Sequence, residues 1–126
     1  LPERHVAVGV VKKRGCLLLV QRAEQGLLGG LWEFPGGSIG VDEDPERVCR
    51  CQVKSSVNLD VSVEEHMATV RHTYTHFKLR MEVFLCRWVS GRVNLRGPAD
   101  FKWLTPSRII GLPLHGAMHK ALKALP

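Results

Sequence analysis

The stretch "EFPGGSIGVDEDPERVCRCQVKSSVNLDV", residues 33–61, decides the fold, because a glycine-rich loop runs directly into a short amphipathic helix. Asp44 is a favourable N-cap residue and Pro45 suits the first helical turn, so the sequence predicts a helix over residues 45–57. Apolar residues recur at i, i+4 and i+8 within it and form one stripe that should face a core: Cys49, Val53 and Val57. A glycine-rich loop before a helix is a setting in which phosphate chemistry occurs.

Strand-like runs and turns make up most of the remaining chain. "HVAVGVV" (5–11) and "CLLLVQR" (16–22) predict a hairpin joined by the polar turn "KKRG". The glycine-rich segment 26–37 should be mostly loop, with a short strand at Leu31–Phe34. Further strands are predicted at residues 66–74, 76–89 and 101–104. An amphipathic pattern over residues 113–125 predicts a terminal helix, so the order indicates an α+β fold with a mixed sheet.

The overall composition limits the classes of protein to consider. At 126 residues and 44% hydrophobic content, the chain should form one domain, residues 1–126, with its own core. No apolar run approaches the roughly 18 residues of a membrane span, so we expect a soluble protein without a membrane partner. The first residue is Leu1 instead of Met, which fits a piece of a longer polypeptide and equally fits a processed terminus.

Cysteine spacing and net charge add two further limits. The cysteines lack the paired spacing that clasps zinc or an iron–sulfur cluster, since they stand at positions 16, 49, 51 and 86. Cys16 and Cys86 lie in strand-like apolar runs, and we expect buried free thiols in a reducing compartment. The net charge of +6 and the pI near 9.5 favour an anionic partner such as nucleic acid, although simple solubility explains the charge equally well.

From Gly37 onward the sequence resembles the Nudix box, the pattern G-x5-E-x7-R-E-U-x-E-E-x-G-U, in which U is a bulky apolar residue. The glycine, first acidic and apolar positions are matched by Gly37, Glu43, Val53 and Leu59. The other positions depart from the pattern and hold Cys51, Gln52, Ser55, Ser56 and Asn58. The resemblance implies the Nudix fold, a mixed β-sheet flanked by α-helices in an α/β/α sandwich.

The departures matter because of their geometry. Positions 52, 55 and 56 are related as i, i+3 and i+4 and therefore project from one face of the helix, opposite the apolar stripe. Three carboxylates there would hold Mg²⁺ against a diphosphate and activate water. Gln52, Ser55 and Ser56 carry no charge, and Glu43 alone is more typical of a solvated loop acid. We therefore expect no metal site and no catalytic residue for nucleotide hydrolysis.

A second resemblance covers nearly the whole chain. The segments "VVKKRGCLLLVQRAEQGLLGGLWEFPGG", "VRHTYTHFKLRMEVF" and "FKWLTPSRIIGLPLHGAMHKAL" resemble the C-terminal domain of MutY-type adenine DNA glycosylases. This implies a Nudix-like domain that helps to recognise 8-oxoguanine in DNA and has lost hydrolysis. A separate helical domain of the same polypeptide would carry an iron–sulfur cluster and remove the mispaired adenine. Since neither a cluster-type cysteine spacing nor a helix-hairpin-helix pattern occurs here, we expect no cofactor in this domain.

The same resemblance assigns a role to the segment "RHTYTHFK". In the family this place carries an aromatic residue, a hydroxyl residue and a histidine at the lesion, and here they are Tyr74, Thr75 and His76. Guanine presents acceptors at N7 and O6, whereas oxidation at C8 turns N7 into a donor and adds a carbonyl acceptor beside it. The Thr75 hydroxyl donates and accepts, so with its backbone N–H it would satisfy both altered groups.

Each of these residues also has a purely structural interpretation. Thr75 is of a type common at strand ends, an aromatic residue such as Tyr74 ordinarily packs in a core, and His76 is typical of a surface. The neighbouring basic residues would either contact phosphates or lie on an ordinary solvated strand face: Arg71, Lys78 and Arg80. Trp32 and Phe34 are more typical of core or loop packing than of a stacking platform for a base.

Three hypotheses follow. The first is the 8-oxoguanine-recognition domain of an adenine DNA glycosylase, whose partners are duplex DNA containing 8-oxoguanine and the helical glycosylase domain of the same polypeptide. The second is a free-standing MutT-type hydrolase of oxidised nucleoside triphosphates, which requires Mg²⁺ ligands that the sequence lacks. The third is a Nudix-fold module that binds a nucleotide or a protein without chemistry. The first hypothesis places the protein in a bacterial cytoplasm, at the nucleoid, or in a eukaryotic nucleus.

Overall fold

The glycine-rich loop and its helix belong to a seven-stranded sheet that carries three helices. The computed structural model describes all 126 residues. None of the helices is both long and apolar enough to cross a membrane. In chain order the elements are β1 (Glu3–Lys13), β2 (Cys16–Gln21), β3 (Trp32–Glu33), β4 (Gly36–Ser38), α1 (Pro45–Val57), β5 (Asp60–Thr73), β6 (Lys78–Ser90), β7 (Asp100–Leu104), α2 (Pro106–Ile109) and α3 (Gly116–Lys123).

The sheet contains both parallel and antiparallel pairs. Its strand order is β3-β2-β1-β6-β5, with β4 paired to β1 and β7 paired to β2. Strands β1 and β6 run parallel, from Glu3 opposite Lys78 to Lys12 opposite Arg87, and the other strand pairs are antiparallel. The mixed sheet expected from the sequence is therefore confirmed.

The first hairpin is confirmed with a tight loop. Lys13 pairs with Cys16, so only Arg14 and Gly15 lie between the strands. Both have positive φ, 52° and 78°, as in the two-residue turn whose twist matches that of the flanking strands. Glycine adopts this conformation without strain, which suits the last position of "KKRG".

Two apolar cores lie on opposite faces of the sheet. Because successive residues of a strand point to opposite faces, Val8 and Val10 pack with α2 and α3, while Ala7 and Val11 pack with α1. The predicted stripe of α1 is fully buried in the second core: Cys49, Val53 and Val57. Helices therefore flank the sheet on both faces, which confirms the expected α/β/α arrangement within an α+β fold.

Helix α1 has the predicted bounds but not the predicted cap bond. Asp44 has the extended backbone of an N-cap residue, with φ −74° and ψ 119°, yet its side chain makes no capping hydrogen bond. At the other end Asn58 adopts φ 66°, and its N–H donates to the Lys54 carbonyl at 3.0 Å. Backbone closure at Asn58 and the buried stripe thus hold the helix.

Other element boundaries differ from the prediction for identifiable reasons. Strand β5 begins at Asp60 instead of residue 66, because register shifts between strands interrupt its alternation of apolar residues. Helix α3 begins at Gly116 instead of residue 113, because the Trp32 N–H donates to the Pro113 carbonyl at 2.9 Å and Leu114 bridges to Trp32. The short elements β4 and α2 are absent from the prediction.

All four cysteines are free thiols. The prediction of a buried thiol is confirmed for Cys86 and wrong for Cys16, which is only half-buried at the start of β2. The Cys49 and Cys86 sulfur atoms lie 3.9 Å apart in the core beneath α1. The hydrogen bond to Cys86, together with burial, raises the pKa of the Cys49 thiol, which therefore stays protonated and unreactive.

Candidate functional site

The turn between β5 and β6 carries the three residues that the glycosylase resemblance places at the lesion. The Tyr74 N–H donates to the Phe77 carbonyl at 2.8 Å, which closes the turn. The two rings stack, with centroids 4.8 Å apart and an interplanar angle of 21°. Thr75 and His76 form the exposed tip between them. A hydroxyl and an imidazole are therefore presented to solvent on a closed turn.

Tyr74 itself is half-buried and is held at its hydroxyl. The Ala117 N–H, in the first turn of α3, donates to the hydroxyl oxygen at 2.9 Å. The hydroxyl in turn donates to His115 Nδ1 at 2.6 Å. Burial raises the pKa of the Tyr74 hydroxyl, so the hydroxyl keeps its proton at neutral pH. Tyr74 therefore anchors the turn from below.

Three further polar side chains extend the hydrogen bonding from the Tyr74 hydroxyl: His115, Glu33 and Arg22. His115 is only 4% exposed, and its Nε2 donates to Glu33 Oε1 at 3.1 Å. Arg22 NH1 donates to the two Glu33 carboxylate oxygens at 3.2 and 3.0 Å. Because a carboxylate only accepts, His115 carries its proton on Nε2 and accepts from Tyr74 at Nδ1. No local sequence pattern indicates this set, since 41 positions separate Tyr74 from His115 and 82 separate His115 from Glu33.

The three basic residues predicted to contact phosphates lie on one face of the sheet. Arg71 stands directly opposite Arg80 in the pairing of β5 with β6, and Lys78 stands opposite Thr73. These positions alternate with buried residues such as Leu79, so they occupy the face on which α1 packs. Arg71 and Lys78 are exposed, whereas Arg80 is half-buried. The fold thus brings the basic residues together beside the turn.

Arg80 is engaged by neighbours within the protein. Its NH2 donates to His5 Nδ1 at 3.0 Å, and its Nε lies 3.8 Å from Glu3 Oε1. His5 in turn donates through Nε2 to Glu82 Oε2 at 2.6 Å. Arg80 is therefore less free than Lys78 to meet a phosphate.

Glu82 is a buried carboxylate with several hydrogen-bond donors. Besides His5, it accepts from the Thr69 hydroxyl at 2.5 Å and from His66 Nε2 at 3.1 Å. Burial alone would raise the pKa of Glu82, but the hydrogen bonds from Thr69, His5 and His66 outweigh it and hold the pKa below its ordinary value. Glu82 is therefore ionised and satisfied at neutral pH.

The polar side of α1 contacts its own backbone and the adjacent strand β4. The Ser56 hydroxyl donates to the Gln52 backbone carbonyl at 2.7 Å. The Gln52 side chain lies against Gly37, where an added Cβ would be 2.5 Å from Gln52 Oε1. Glu43 Oε1 accepts from the Gly40 N–H at 2.6 Å, so this carboxylate braces its own loop.

A cavity of about 170 Å³ opens beside the turn, on the face of the sheet that packs with α3. Phe34 and Phe77 contribute to its apolar wall, and its charged lining comprises Arg4, Arg22 and Glu33. Phe34 is fully buried and Trp32 is 5% exposed. The interpretation of Trp32 as a packing residue is confirmed, whereas Phe34 is buried and also lines the cavity.

Comparison with known proteins connects this geometry to a family. The profile of the NUDIX domain family matches residues 6–124. This chain belongs to the NUDIX domain family. The structure superposes on a MutT protein of Methanosarcina mazei with a TM-score of 0.87 and 21% identity, over 97% of this chain and 91% of the other. A MutT NUDIX hydrolase of Burkholderia pseudomallei gives 0.84 and 20%, over 100% of both chains. The expected Nudix fold is therefore confirmed.

Sequence relatives of this Nudix domain have two kinds of activity. An 8-oxo-dGTP diphosphatase of Proteus vulgaris is 30% identical over 82 residues, which cover 64% of this chain and 73% of the diphosphatase. The adenine DNA glycosylase of Homo sapiens is 30% identical over 127 residues, which cover 96% of this chain and 23% of the glycosylase. The chain thus spans about a quarter of the length of the mammalian glycosylases that it matches.

The residues of this Nudix domain do not fit the divalent metal ion of a Nudix hydrolase. Gln52, Ser55 and Ser56 stand where the resemblance requires carboxylates, and the Ser56 hydroxyl is already bonded to the helix backbone. No group of three or more His, Cys, Asp or Glu side chains is placed to hold a metal ion. Neutral amide and hydroxyl groups lack the charge that Mg²⁺ binding requires.

Proposed function

We propose that this Nudix domain is the 8-oxoguanine-recognition domain of an adenine DNA glycosylase that acts on 8-oxoguanine:adenine mispairs in base excision repair, and that it does not hydrolyse nucleotides. The observation that carries the proposal is the closed turn between β5 and β6, which presents Thr75 and His76 to solvent. The similarity to adenine DNA glycosylases, which extends over 96% of the chain, supports it.

Thr75 has the chemistry that the oxidised base requires. Its hydroxyl accepts a hydrogen bond from N7–H or donates one to the C8 carbonyl, and its backbone N–H supplies a second donor. Ordinary guanine has an acceptor at N7 and no carbonyl at C8, so one of these contacts is lost. A mismatched buried donor or acceptor costs about 1–3 kcal/mol, which is enough for about tenfold discrimination by one residue.

The basic sheet face gives the turn an approach to the DNA backbone. Arg71 and Lys78 are exposed beside the turn, and together with the net charge of +6 they favour a polyanion. Arg80 is assigned a weaker phosphate contact, because its guanidinium already meets His5 and Glu3. Phosphate contacts of this kind position the protein, whereas Thr75 supplies the discrimination between bases.

The remainder of the proposed protein lies outside these residues. The partners on this proposal are duplex DNA containing 8-oxoguanine and the helical glycosylase domain of the same polypeptide, which carries the iron–sulfur cluster and removes adenine. No cofactor is assigned to the Nudix domain itself. The protein works where the genome lies, at the nucleoid in the cytoplasm of a bacterium or in the nucleus of a eukaryote.

The test is DNA binding by the full-length product of the gene. Dissociation constants are measured on duplexes that differ only in the central pair, which is 8-oxoguanine:adenine, guanine:adenine or guanine:cytosine. We expect the first duplex to bind at least about tenfold more tightly than the second. A product truncated to remove this chain is the control and should lose most of that preference. Equal affinity of the intact product for the first two duplexes contradicts the proposal.

A MutT-type hydrolase of oxidised nucleoside triphosphates is the second candidate. It is favoured by the similarity to the Proteus vulgaris diphosphatase and by the cavity lined by Arg22, Glu33 and Phe34. It is disfavoured by the neutral side chains of Gln52, Ser55 and Ser56. Binding of 8-oxo-dGTP without turnover would instead support a Nudix module that holds a nucleotide without chemistry. Calorimetry with 8-oxo-dGTP, with and without Mg²⁺, distinguishes this module from a hydrolase.

A further inference from the structure

A series of side-chain hydrogen bonds links the glycine-rich half of the domain to the exposed turn. It runs from Arg22 through Glu33 and His115 to the Tyr74 hydroxyl, and its longest donor–acceptor distance is 3.2 Å. Arg22 is itself fixed, because its Nε donates to the Leu27 carbonyl at 2.9 Å. The turn is therefore connected to residues that are distant in the sequence.

The series ends at the base of the turn. The Tyr74 hydroxyl also accepts from the Ala117 N–H at 2.9 Å, so it acts both as donor and as acceptor. The Tyr74 ring stacks on Phe77, and these two residues form the backbone hydrogen bond that closes the turn. A displacement of Tyr74 therefore displaces Thr75, which is the next residue.

The arrangement depends on a tyrosine at this position. A phenylalanine ring would fill the same space, but it would leave His115 Nδ1 and the Ala117 N–H without their present partner. Polar groups buried in this way are nearly always hydrogen-bonded in folded proteins. The hydroxyl of Tyr74 and the imidazole of His115 therefore act as one unit.

We propose that Glu33 and His115, acting through the Tyr74 hydroxyl, are positioning residues that hold Thr75 for contact with the oxidised base. This inference rests on the proposed function, because it assigns a role within the same site. A group that is held in its binding geometry loses less conformational entropy on binding than a mobile one. His115 does not touch DNA, and its effect on the lesion passes through Tyr74.

Single-residue variants separate positioning from direct contact. Tyr74→Phe removes one oxygen atom and keeps the ring, so the preference for 8-oxoguanine:adenine over guanine:adenine should fall about fivefold. His115→Ala should cause a similar loss, whereas His115→Asn keeps an amide acceptor near the Nδ1 position and should recover part of the preference. His119→Gln alters an exposed histidine within α3, which follows His115, and should change nothing.

The experiment measures dissociation constants on both duplexes for the full-length gene product. It compares the wild type with Tyr74→Phe, His115→Ala, their double variant and Thr75→Ala. Because Tyr74 and His115 share one hydrogen bond, the double variant should lose no more preference than either single variant. Amide hydrogen exchange at Tyr74, whose N–H closes the turn on the Phe77 carbonyl, should be faster in both single variants without DNA. If His115→Ala does not fold, Tyr74→Phe and His115→Asn carry the test.

The outcomes for the positioning role and for the proposed function are distinct. Losses in Tyr74→Phe and His115→Ala that do not add, with an unchanged His119→Gln, support positioning. An unchanged preference in Tyr74→Phe and His115→Ala, alongside a loss in Thr75→Ala, overturns positioning and leaves the proposed function standing. If the losses of preference in Tyr74→Phe and His115→Ala add in the double variant, the two residues act separately, and positioning through the Tyr74 hydroxyl is overturned. A full preference in Thr75→Ala removes the proposed contact and the positioning role together.

Discussion

Helix α1 and the β5–β6 turn use their polar residues in opposite ways. On α1 the carboxylate positions of the Nudix box hold neutral residues, and the Ser56 hydroxyl is bonded to the helix backbone. At the turn, Thr75 stays exposed while the Tyr74 hydroxyl is bonded from below. The buried stripe of α1 preserves the Nudix frame without its metal ligands. In α1 the buried residues keep the fold of the Nudix helix, whereas in the turn a closed backbone holds exposed polar groups that are free to bind a ligand.

The two regions also differ in charge. The loop before α1 contains a run of acidic residues, Asp42, Glu43 and Asp44, all of them exposed. The sheet face beside the turn instead carries Arg71 and Lys78. On the proposed function, the turn should attract a polyanion such as DNA and the loop before α1 should repel it. The charge distribution and the closed, exposed turn thus both favour the β5–β6 turn as the binding region for an anionic partner.

The largest effect should be a loss of stability when the buried face of α1 is altered, compared with little change when its exposed face is altered. Val53 is fully buried, so Val53→Asp places an unpaired carboxylate in the core and should lower the free energy of unfolding by on the order of 3–5 kcal/mol. Ser55→Asp is the control on the exposed face and should change it by less than about 0.5 kcal/mol. Urea unfolding followed by circular dichroism measures both. Similar losses in the two variants would give the polar face of α1 a structural role.

The next effect concerns Glu82, which supports Arg80 through His5. Since the folded pKa of Glu82 lies below its ordinary value, its ionisation stabilises the fold above the ordinary carboxylate range, and this contribution disappears as the pH falls through the folded pKa. Glu82→Gln should therefore cost about 1–3 kcal/mol at neutral pH and less in acid. Urea unfolding across pH tests this, with exposed Glu65→Gln as control. A cost of Glu82→Gln that is independent of pH would contradict the assignment.

A smaller effect should appear in the salt dependence of DNA binding. Lys78→Ala removes an exposed cation beside the turn and should flatten the slope of log affinity against log salt by about one. Arg80→Ala should flatten it less, because the guanidinium is already engaged. Lys54→Ala, in the last turn of α1, is the control and should leave the slope unchanged. Equal flattening by Lys54→Ala would place DNA against α1 as well.

No effect at all is expected in a hydrolysis assay, because α1 lacks the carboxylates of a Nudix hydrolase. Release of pyrophosphate from 8-oxo-dGTP with Mg²⁺ or Mn²⁺ should not exceed a protein-free blank, because positions 52, 55 and 56 supply no carboxylate. Glu43→Gln and its control Glu46→Gln should behave like the wild type. Turnover that Glu43→Gln abolishes and Glu46→Gln preserves would restore the hydrolase interpretation.

Local sequence patterns were sufficient for much of the fold. The bounds of α1 followed from a first-turn proline and one apolar stripe, and the first hairpin followed from two apolar runs around Arg14 and Gly15. Strand β4 was not predicted, because Gly36–Ser38 has no alternation of apolar residues. It is a strand only through its backbone pairing with β1. Elements that depend on pairing with distant strands leave little signal in their own residues.

The candidate site was predictable only at its surface. The resemblance to glycosylases predicted a role for the turn at Thr75, but it gave no indication of the half-buried Glu33 of β3 or of the buried His115 before α3. In the sequence alone, nothing distinguishes Glu33 from other acidic residues in strands or His115 from other histidines. Their relation to Tyr74 exists only after the sheet has formed, since it joins residues 41 and 82 positions apart.

Whether the turn reads the lesion is tested most directly by the ratio of dissociation constants for guanine:adenine and 8-oxoguanine:adenine duplexes in Thr75 variants of the full-length gene product. Thr75→Ala should reduce the ratio several-fold, up to about tenfold, without changing affinity for undamaged DNA. Thr75→Ser keeps the hydroxyl and should retain the ratio. Thr73→Ala, which removes an exposed hydroxyl at the end of β5, should match the wild type. An unchanged ratio in Thr75→Ala would contradict lesion reading by this turn and leave Thr75 as a structural residue.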